Sequence, residues 1–278
     1  MDFSSALENI YISPLELCNL HCQYCYTPKT KNILSNSQIL SFVKRYQSTL
    51  SKFAGKFLTS VERGDTFTAK KKVIKNLRLN SIIFCGGEVF TLKNFPRLIN
   101  HLHQQNIFTT IITNGTIDRL KSIKDPKNCQ LLVSFDGPEA IHDANRGPGN
   151  FAKSQKFVAH ALKLGFPVEI FFLITKNSYP YKDSFELFNL PKTYLIDRLG
   201  SLTPDQVKII RQNYRTFPPK NFGCNTLSLQ SDGKFYGCCE TSKSLGTLTD
   251  PLDQIINKFL TLDPVCNDIK FKCNFLTL

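Results

Sequence analysis

No run of apolar residues in this 278-residue chain approaches the ~18 needed to cross a bilayer. The opening residues, Met1-Asp2-Phe3-Ser4-Ser5, lack a basic segment leading into an apolar stretch, so no secretion signal is read there. Both absences point to a cytoplasmic protein away from membranes. Acidic residues are scarce beside basic ones: 22 Asp and Glu face 35 Lys and Arg, a formal charge of +13. That surplus favours acidic partners through long-range attraction, with a solvated lysine-rich surface as the plain alternative. Nucleic acid is disfavoured, because no aromatic-rich basic module that would stack bases is recognisable. The five histidines pair only at His101-Leu102-His103, read as surface residues of a helix.

Cysteine, by contrast, is plentiful. Ten Cys without a secretion signal point away from disulfides and toward metal ligation or redox chemistry. A repeating unit runs from Ile10 to about Arg198. Tyr11 to Leu17, Ser81 to Cys85, Phe108 to Thr113, Leu131 to Phe135, Val168 to Ile174 and Thr193 to Arg198 read as six short strands. Amphipathic helix candidates lie between them, one opening on the capping box Ser35-Asn36-Ser37-Gln38 and another closed by Gly165. Strands alternating with helices imply an α/β fold with a parallel sheet, whose ligands collect at the carboxyl ends of the strands. Residues 51 to 80, with Lys70-Lys71-Lys72, read as an insertion. Beyond Asn221 the pattern changes, and Asp232-Gly233 between two β-rich stretches predicts a hairpin with a type I′ turn. The expected division is 1–221 for the body and 222–278 for a small, cysteine-rich β appendage.

Cys18, Cys22 and Cys25 are spaced C-x3-C-x2-C in a loop directly after the first strand. Three thiolates can hold three irons of a 4Fe-4S cluster and leave the fourth open to a small ligand. A structural zinc site is the alternative, with His21 as its fourth ligand. The spacing, with Tyr24 before the third Cys, resembles the signature of the radical S-adenosylmethionine (SAM) superfamily. The resemblance implies a partial (β/α)6 barrel in which S-adenosylmethionine chelates the open iron through its methionine moiety, while Tyr24 packs near the adenine. It also implies electrons from an acidic donor such as flavodoxin or ferredoxin. Further motifs follow in the family's order. Gly86-Gly87-Glu88 resembles the turn near the methionine amino group, with Val89 where Pro is usual. Asn114 and the stretch Ser134-Phe135-Asp136-Gly137 resemble the ends of the next two strands, and Arg146 resembles the arginine that pairs with the cofactor carboxylate.

In the tail, Cys224 is followed by eight residues and Gly233, then four residues and Cys238, with Cys266 and Cys273 beyond. This resembles the twitch domain, a shortened SPASM appendage that holds one auxiliary iron-sulfur cluster; a structural zinc hairpin is the alternative. Cys85 and Cys129 read as ordinary core cysteines. The adjacent pair Cys238-Cys239 assigns one thiol to the cluster and leaves Cys239 spare, a candidate hydrogen donor or a small buried hydrophobe.

Enzymes with this tail and with Asp-Gly-Pro, His142-Asp143 and Arg-Gly in this order resemble maturases of ribosomally made peptides and sulfatases. The expected activity is therefore hydrogen abstraction from a residue of a peptide substrate, giving epimerisation or crosslinking. A twitch-type alcohol dehydrogenase, a tRNA-modifying enzyme and a non-enzymatic metal-binding scaffold are the alternatives. With nine residues before Ile10, recognition of the peptide is expected to be direct or through a separate chain.

Overall fold

The computed structural model describes residues 7–25, 27–53, 58–59, 72–73, 77–197, 199–217, 226–237 and 243–261. The body begins with strand β1 (Asn9–Ile12) and helix α1 (Asn36–Phe53), followed by the short antiparallel pair β2 (Leu58–Thr59) and β3 (Lys72–Val73) within the expected insertion. Then come β4 (Ser81–Phe84), α2 (Phe95–His103), β5 (Phe108–Thr113), β6 (Cys129–Phe135), α3 (Glu139–Arg146), α4 (Asn150–Lys163), β7 (Val168–Ile174) and β8 (Lys192–Ile196). After α5 (Pro204–Asn213) and β9 (Thr216–Phe217), the tail contributes β10 (Ser228–Leu229), β11 (Lys234–Tyr236), β12 (Ser244–Thr247) and α6 (Leu252–Leu260).

Local chemistry accounts for several of these boundaries. The Ser35 hydroxyl accepts the Gln38 amide at 3.2 Å while the Gln38 side chain accepts the Ser35 amide at 2.9 Å, so the capping box that opens α1 is formed in full. Helix α4 ends with Gly165 at φ +84°, the Gly165 amide donating to Leu162 and the Phe166 amide to Ala161, the paired bonds of a Schellman closure. Strand β1 stops at Ile12 rather than reaching Leu17. Pro14 has no N–H for the ladder, and Leu15 makes only an isolated bridge to Ile33.

The sheet holds ten strands in the order β12-β11-β10-β1-β4-β5-β6-β7-β8-β9. Six of them, β1, β4, β5, β6, β7 and β8, are parallel and spatially sequential, the arrangement of a partial (β/α)6 barrel. The β5–β6 and β7–β8 connections are made by 3-10 turns instead of α-helices. Pro126 and Pro180, which cannot donate within a helix, sit in those turns. Side chains alternate across the sheet: Leu131, Val133 and Phe135 of β6 join the core under the helices, so Gln130, Leu132 and Ser134 face the inner side.

The tail hairpin continues the sheet, since β10 pairs in parallel with β1 and then antiparallel with β11. Its core is shared with the body: the Phe235 ring lies 5.2 Å from that of Phe42, and Arg45 donates to the carbonyls of Leu248 and Asp250. The turn differs from expectation. Gly233 alone has positive φ (+76°), and the Gln230 amide donates to Lys234 O at 3.0 Å. The loop is thus Ser231-Asp232-Gly233, three residues with glycine in the left-handed position, because Asp232 is spared the positive φ that a type I′ turn would impose on it. No helix of the described residues is long and apolar enough to cross a membrane.

Candidate active site

The carboxyl ends of β1, β4, β5 and β6 converge on the loop that carries Cys18, Cys22 and Cys25. Cys18 and Cys22 are half-buried and Cys25 is exposed. The loop is stitched to itself by Lys29, whose ammonium donates to Leu20 O at 3.0 Å and to His21 Nδ1 at 3.2 Å. His21 is thereby turned to Lys29, which weakens its case as a fourth zinc ligand. Burial pushes the thiols of Cys18 and Cys22 up; the Leu20 amide, 3.4 Å from Cys18 Sγ, and the Arg146 charge near Cys22 work in the other direction. Among the described residues no three His, Cys, Asp or Glu side chains converge on one ion position. Three soft donors from one loop, supported by an N–H and a cation, suit a cluster in which each thiolate meets a different iron.

Gly86 and Gly87 owe their identity to this loop. A Cβ on Gly87 would stand 1.9 Å from Leu17 O, and one on Gly86 2.1 Å from Leu15 O. Only bare backbone lets the Gly87 amide donate to Leu15 O at 2.9 Å and the Glu88 amide to Leu17 O at 3.0 Å. The close neighbour of both glycines is the chain leading into Cys18.

Glu88 is fully buried and fully engaged. Its carboxylate accepts from Phe90 N at 3.1 Å, from Asn114 N at 2.8 Å, and from the Thr113 hydroxyl at 2.9 and 3.0 Å. Burial pushes its pKa up, with these donors and Arg146 opposing. The side chain staples the end of β4 to the end of β5. Asn114, so held, directs its Nδ2 to Asn19 Oδ1 at 3.0 Å and to Cys18 Sγ at 3.7 Å, while its Oδ1 accepts from Thr116. Glu88 therefore reaches the cluster loop through Asn114.

Beyond β6, Asp136 and Arg146 form a bidentate pair, with Nε and Nη2 each 2.8 Å from a carboxylate oxygen. Asp136 is buried and the Arg146 side chain is 10% exposed. Burial opposes the guanidinium charge, but Asp136 and the thiols of Cys22 and Cys18 outweigh it, and the pKa of Arg146 rises above its ordinary value. Asn145 donates to Asp136 as well, and it accepts the Gln23 amide on both its backbone O (3.1 Å) and its Oδ1 (3.0 Å). Gln23 Nε2 donates to Ala144 O at 2.9 Å. The cysteine loop is thus docked on the last turn of α3. Tyr24 is half-buried and accepts from Asn177 Nδ2 at 3.3 Å, and Ser134 lies on the inner face two residues before Asp136.

Several side chains stand apart from expectation. His103 is partly buried rather than superficial: its Nε2 bonds to the Thr109 hydroxyl at 2.9 Å, and burial pushes its pKa down. Cys129 is a buried core thiol with its pKa pushed up to about 12, whereas Cys85 is half-buried on the inner side of β4. His142 is buried with neither ring nitrogen hydrogen-bonded, between the rings of Phe135 and Phe151, and burial with Arg146 pushes its pKa down to about 4. Gln23 and Asn145 were not singled out from the sequence, and His142 and Thr113 entered only as parts of wider motifs. Of the first pair, Asn145 alone left a trace, as a polar residue beside Arg146 at a helix end. Cys224, Cys238, Cys239, Cys266 and Cys273 lie outside the described residues.

Residues 12–179 match the radical SAM superfamily, more than half of the chain. The chain belongs to that superfamily and is a radical SAM enzyme, whose domain implies a 4Fe-4S cluster and S-adenosylmethionine. Among solved structures it is similar to native anSMEcpe with bound AdoMet and Cp18Cys peptide, at a TM-score of 0.64 and 19% identity over 94% of this chain and 82% of the other. It is also similar to SuiB of Streptococcus suis bound to precursor peptide SuiA, at a TM-score of 0.63 and 13% identity over 90% of this chain and 64% of the other. At these identities the likeness carries the fold.

Proposed function

We propose that this radical SAM enzyme abstracts hydrogen from a residue of a ribosomally made peptide, leading to epimerisation or crosslinking. One observation carries the reading: three thiols sit at the carboxyl end of the first barrel strand, beside a buried Asp136–Arg146 pair and an amide directed at Cys18. When bound, the cluster and cofactor together supply a 5′-deoxyadenosyl radical. Cys18, Cys22 and Cys25 hold three irons. Asn114 and the Leu20 amide donate to Cys18 Sγ. Asp136 engages Arg146 along its Nε–Nη2 edge, which leaves the end-on Nη1–Nη2 edge to receive the cofactor carboxylate. Tyr24 and Ser134 are the further contacts proposed for the cofactor.

An auxiliary iron-sulfur cluster on Cys224, Cys238, Cys266 and Cys273 completes the proposal. The β10–β11 register supports it, since Ser228 lies opposite Tyr236, so Thr226-Leu227 and Gly237 lie at the same end of the hairpin. Cys239 is the proposed hydrogen donor to a substrate radical. An acidic flavodoxin or ferredoxin suits the +13 charge as electron donor. The peptide reading gains support from the peptides bound in the anSMEcpe and SuiB structures. Reconstituted protein incubated with dithionite, S-adenosylmethionine and candidate peptides should change the mass or chirality of one residue. If no candidate peptide changes in either respect, the peptide reading fails.

A further inference from the structure

Gln23, the middle of the C-x2-C step, is gripped from three sides by two consecutive residues of α3. Its amide reaches Asn145 O and Asn145 Oδ1 at 3.1 and 3.0 Å, and its side chain reaches Ala144 O at 2.9 Å. Asn145 is itself buried, and its Nδ2 is spent on Asp136, the carboxylate that fixes Arg146. One amide side chain therefore joins the loop between Cys22 and Tyr24 to the buried ion pair.

We infer that Asn145 is a positioning residue: it sets the distance between the cluster loop and Arg146, and hence how well S-adenosylmethionine can bridge the two. The inference rests on the proposed role of Arg146 as carboxylate anchor. The physical reason is geometric. A methionine moiety shared between an iron and a guanidinium binds well only when the two stand at a fixed separation, and outer-shell partners of metal ligands contribute about 10- to 100-fold to metal affinity or activity. Gln23 is the link of Asn145 to the loop and Asp136 its link to the cation.

The test uses anaerobic holoenzyme, reading the affinity for S-adenosylmethionine by equilibrium dialysis and the change in the spin-resonance spectrum of the reduced cluster when the cofactor is added. Asn145→Leu keeps the volume and removes both side-chain bonds. It should retain the wild-type iron content, bind the cofactor about 10- to 100-fold more weakly, and show a broadened or absent spectral response. Asn145→Asp preserves the acceptor for Gln23 but sets a carboxylate against Asp136, so it should also bind more weakly while retaining a sharp cluster signal. Should the leucine variant misfold, the aspartate variant decides alone. Affinity within twofold of wild type in the deciding variant, with an unchanged spectral response, overturns the inference. A wild-type spectrum that ignores the cofactor would instead overturn the underlying assignment, so the two failures are separable.

Discussion

Glu88→Gln tests the reading of the β4 turn most searchingly, because the substitution is nearly isosteric and changes only hydrogen bonding and charge. In the native protein one carboxylate oxygen accepts from Phe90 N and the other from Asn114 N, with the Thr113 hydroxyl bridging both. An amide has one oxygen, so its NH2 must face one of those backbone N–H groups across about 3 Å in a fully buried site. One charge-assisted bond is lost, at about 1.5–3 kcal/mol, and a buried N–H is left unpaired, at about 1–3 kcal/mol. Burial already pushes the Glu88 pKa up, so relief of a buried charge offsets part of this. The net expectation is a loss of about 2–4 kcal/mol of stability, read by urea denaturation of anaerobic holoprotein. The loss should be accompanied by weaker cofactor binding at unchanged iron content, since Asn114 is the link to Cys18. A loss below about 0.5 kcal/mol would refute the staple.

Other expectations follow from the same geometry. Gly87→Ala should impair cluster assembly, because its methyl would overlap Leu17 O at 1.9 Å, and normal iron loading in that variant would show that the loop can yield. Iron analysis of reconstituted wild type should give about eight irons per chain if the tail cysteines hold a second 4Fe-4S cluster; about four would mean that they hold zinc or nothing. His142 binds its proton less readily folded (about 4) than unfolded (near 6.5), so below pH 6.5 the unfolded chain takes up protons that the folded one does not. Stability should thus fall by about 1 kcal/mol between pH 7 and pH 5.5, and His142→Phe should flatten that slope; an unchanged slope would assign the acid sensitivity elsewhere. With a substrate peptide in deuterated water, wild type should install one deuterium, and Cys239→Ala should still cleave the cofactor without completing epimerisation. Normal turnover of that variant would remove Cys239 as the donor.

What could be read from the sequence divides along physical lines. Strands β5 and β7 match the expected spans, 108–113 and 168–174, because β-branched or apolar runs end there in residues that favour turns. The cysteine spacing was legible because a cluster needs its thiols close along one loop. The Gln23–Asn145 clamp was not, since its partners lie 122 residues apart and neither residue type is distinctive. For Glu88, the chain suggested its place in the site but not its partners; that its carboxylate would be used up by Thr113 and Asn114 depends on the parallel register of β4 and β5. His103 fell to the same limit: alternating histidines look superficial on a helix until β5 places Thr109 beneath one of them.

The central claim is that Cys18, Cys22 and Cys25 hold a cluster that cleaves S-adenosylmethionine. Its most direct test is 5′-deoxyadenosine production, quantified by chromatography, from anaerobically reconstituted protein with dithionite. Wild type should release 5′-deoxyadenosine and methionine in equal amounts, and Cys18→Ala, Cys22→Ala and Cys25→Ala should each release none, because a three-thiolate site has no spare ligand. Cleavage at an undiminished rate in any one of the three variants, or none in the fully loaded wild type, would contradict the account.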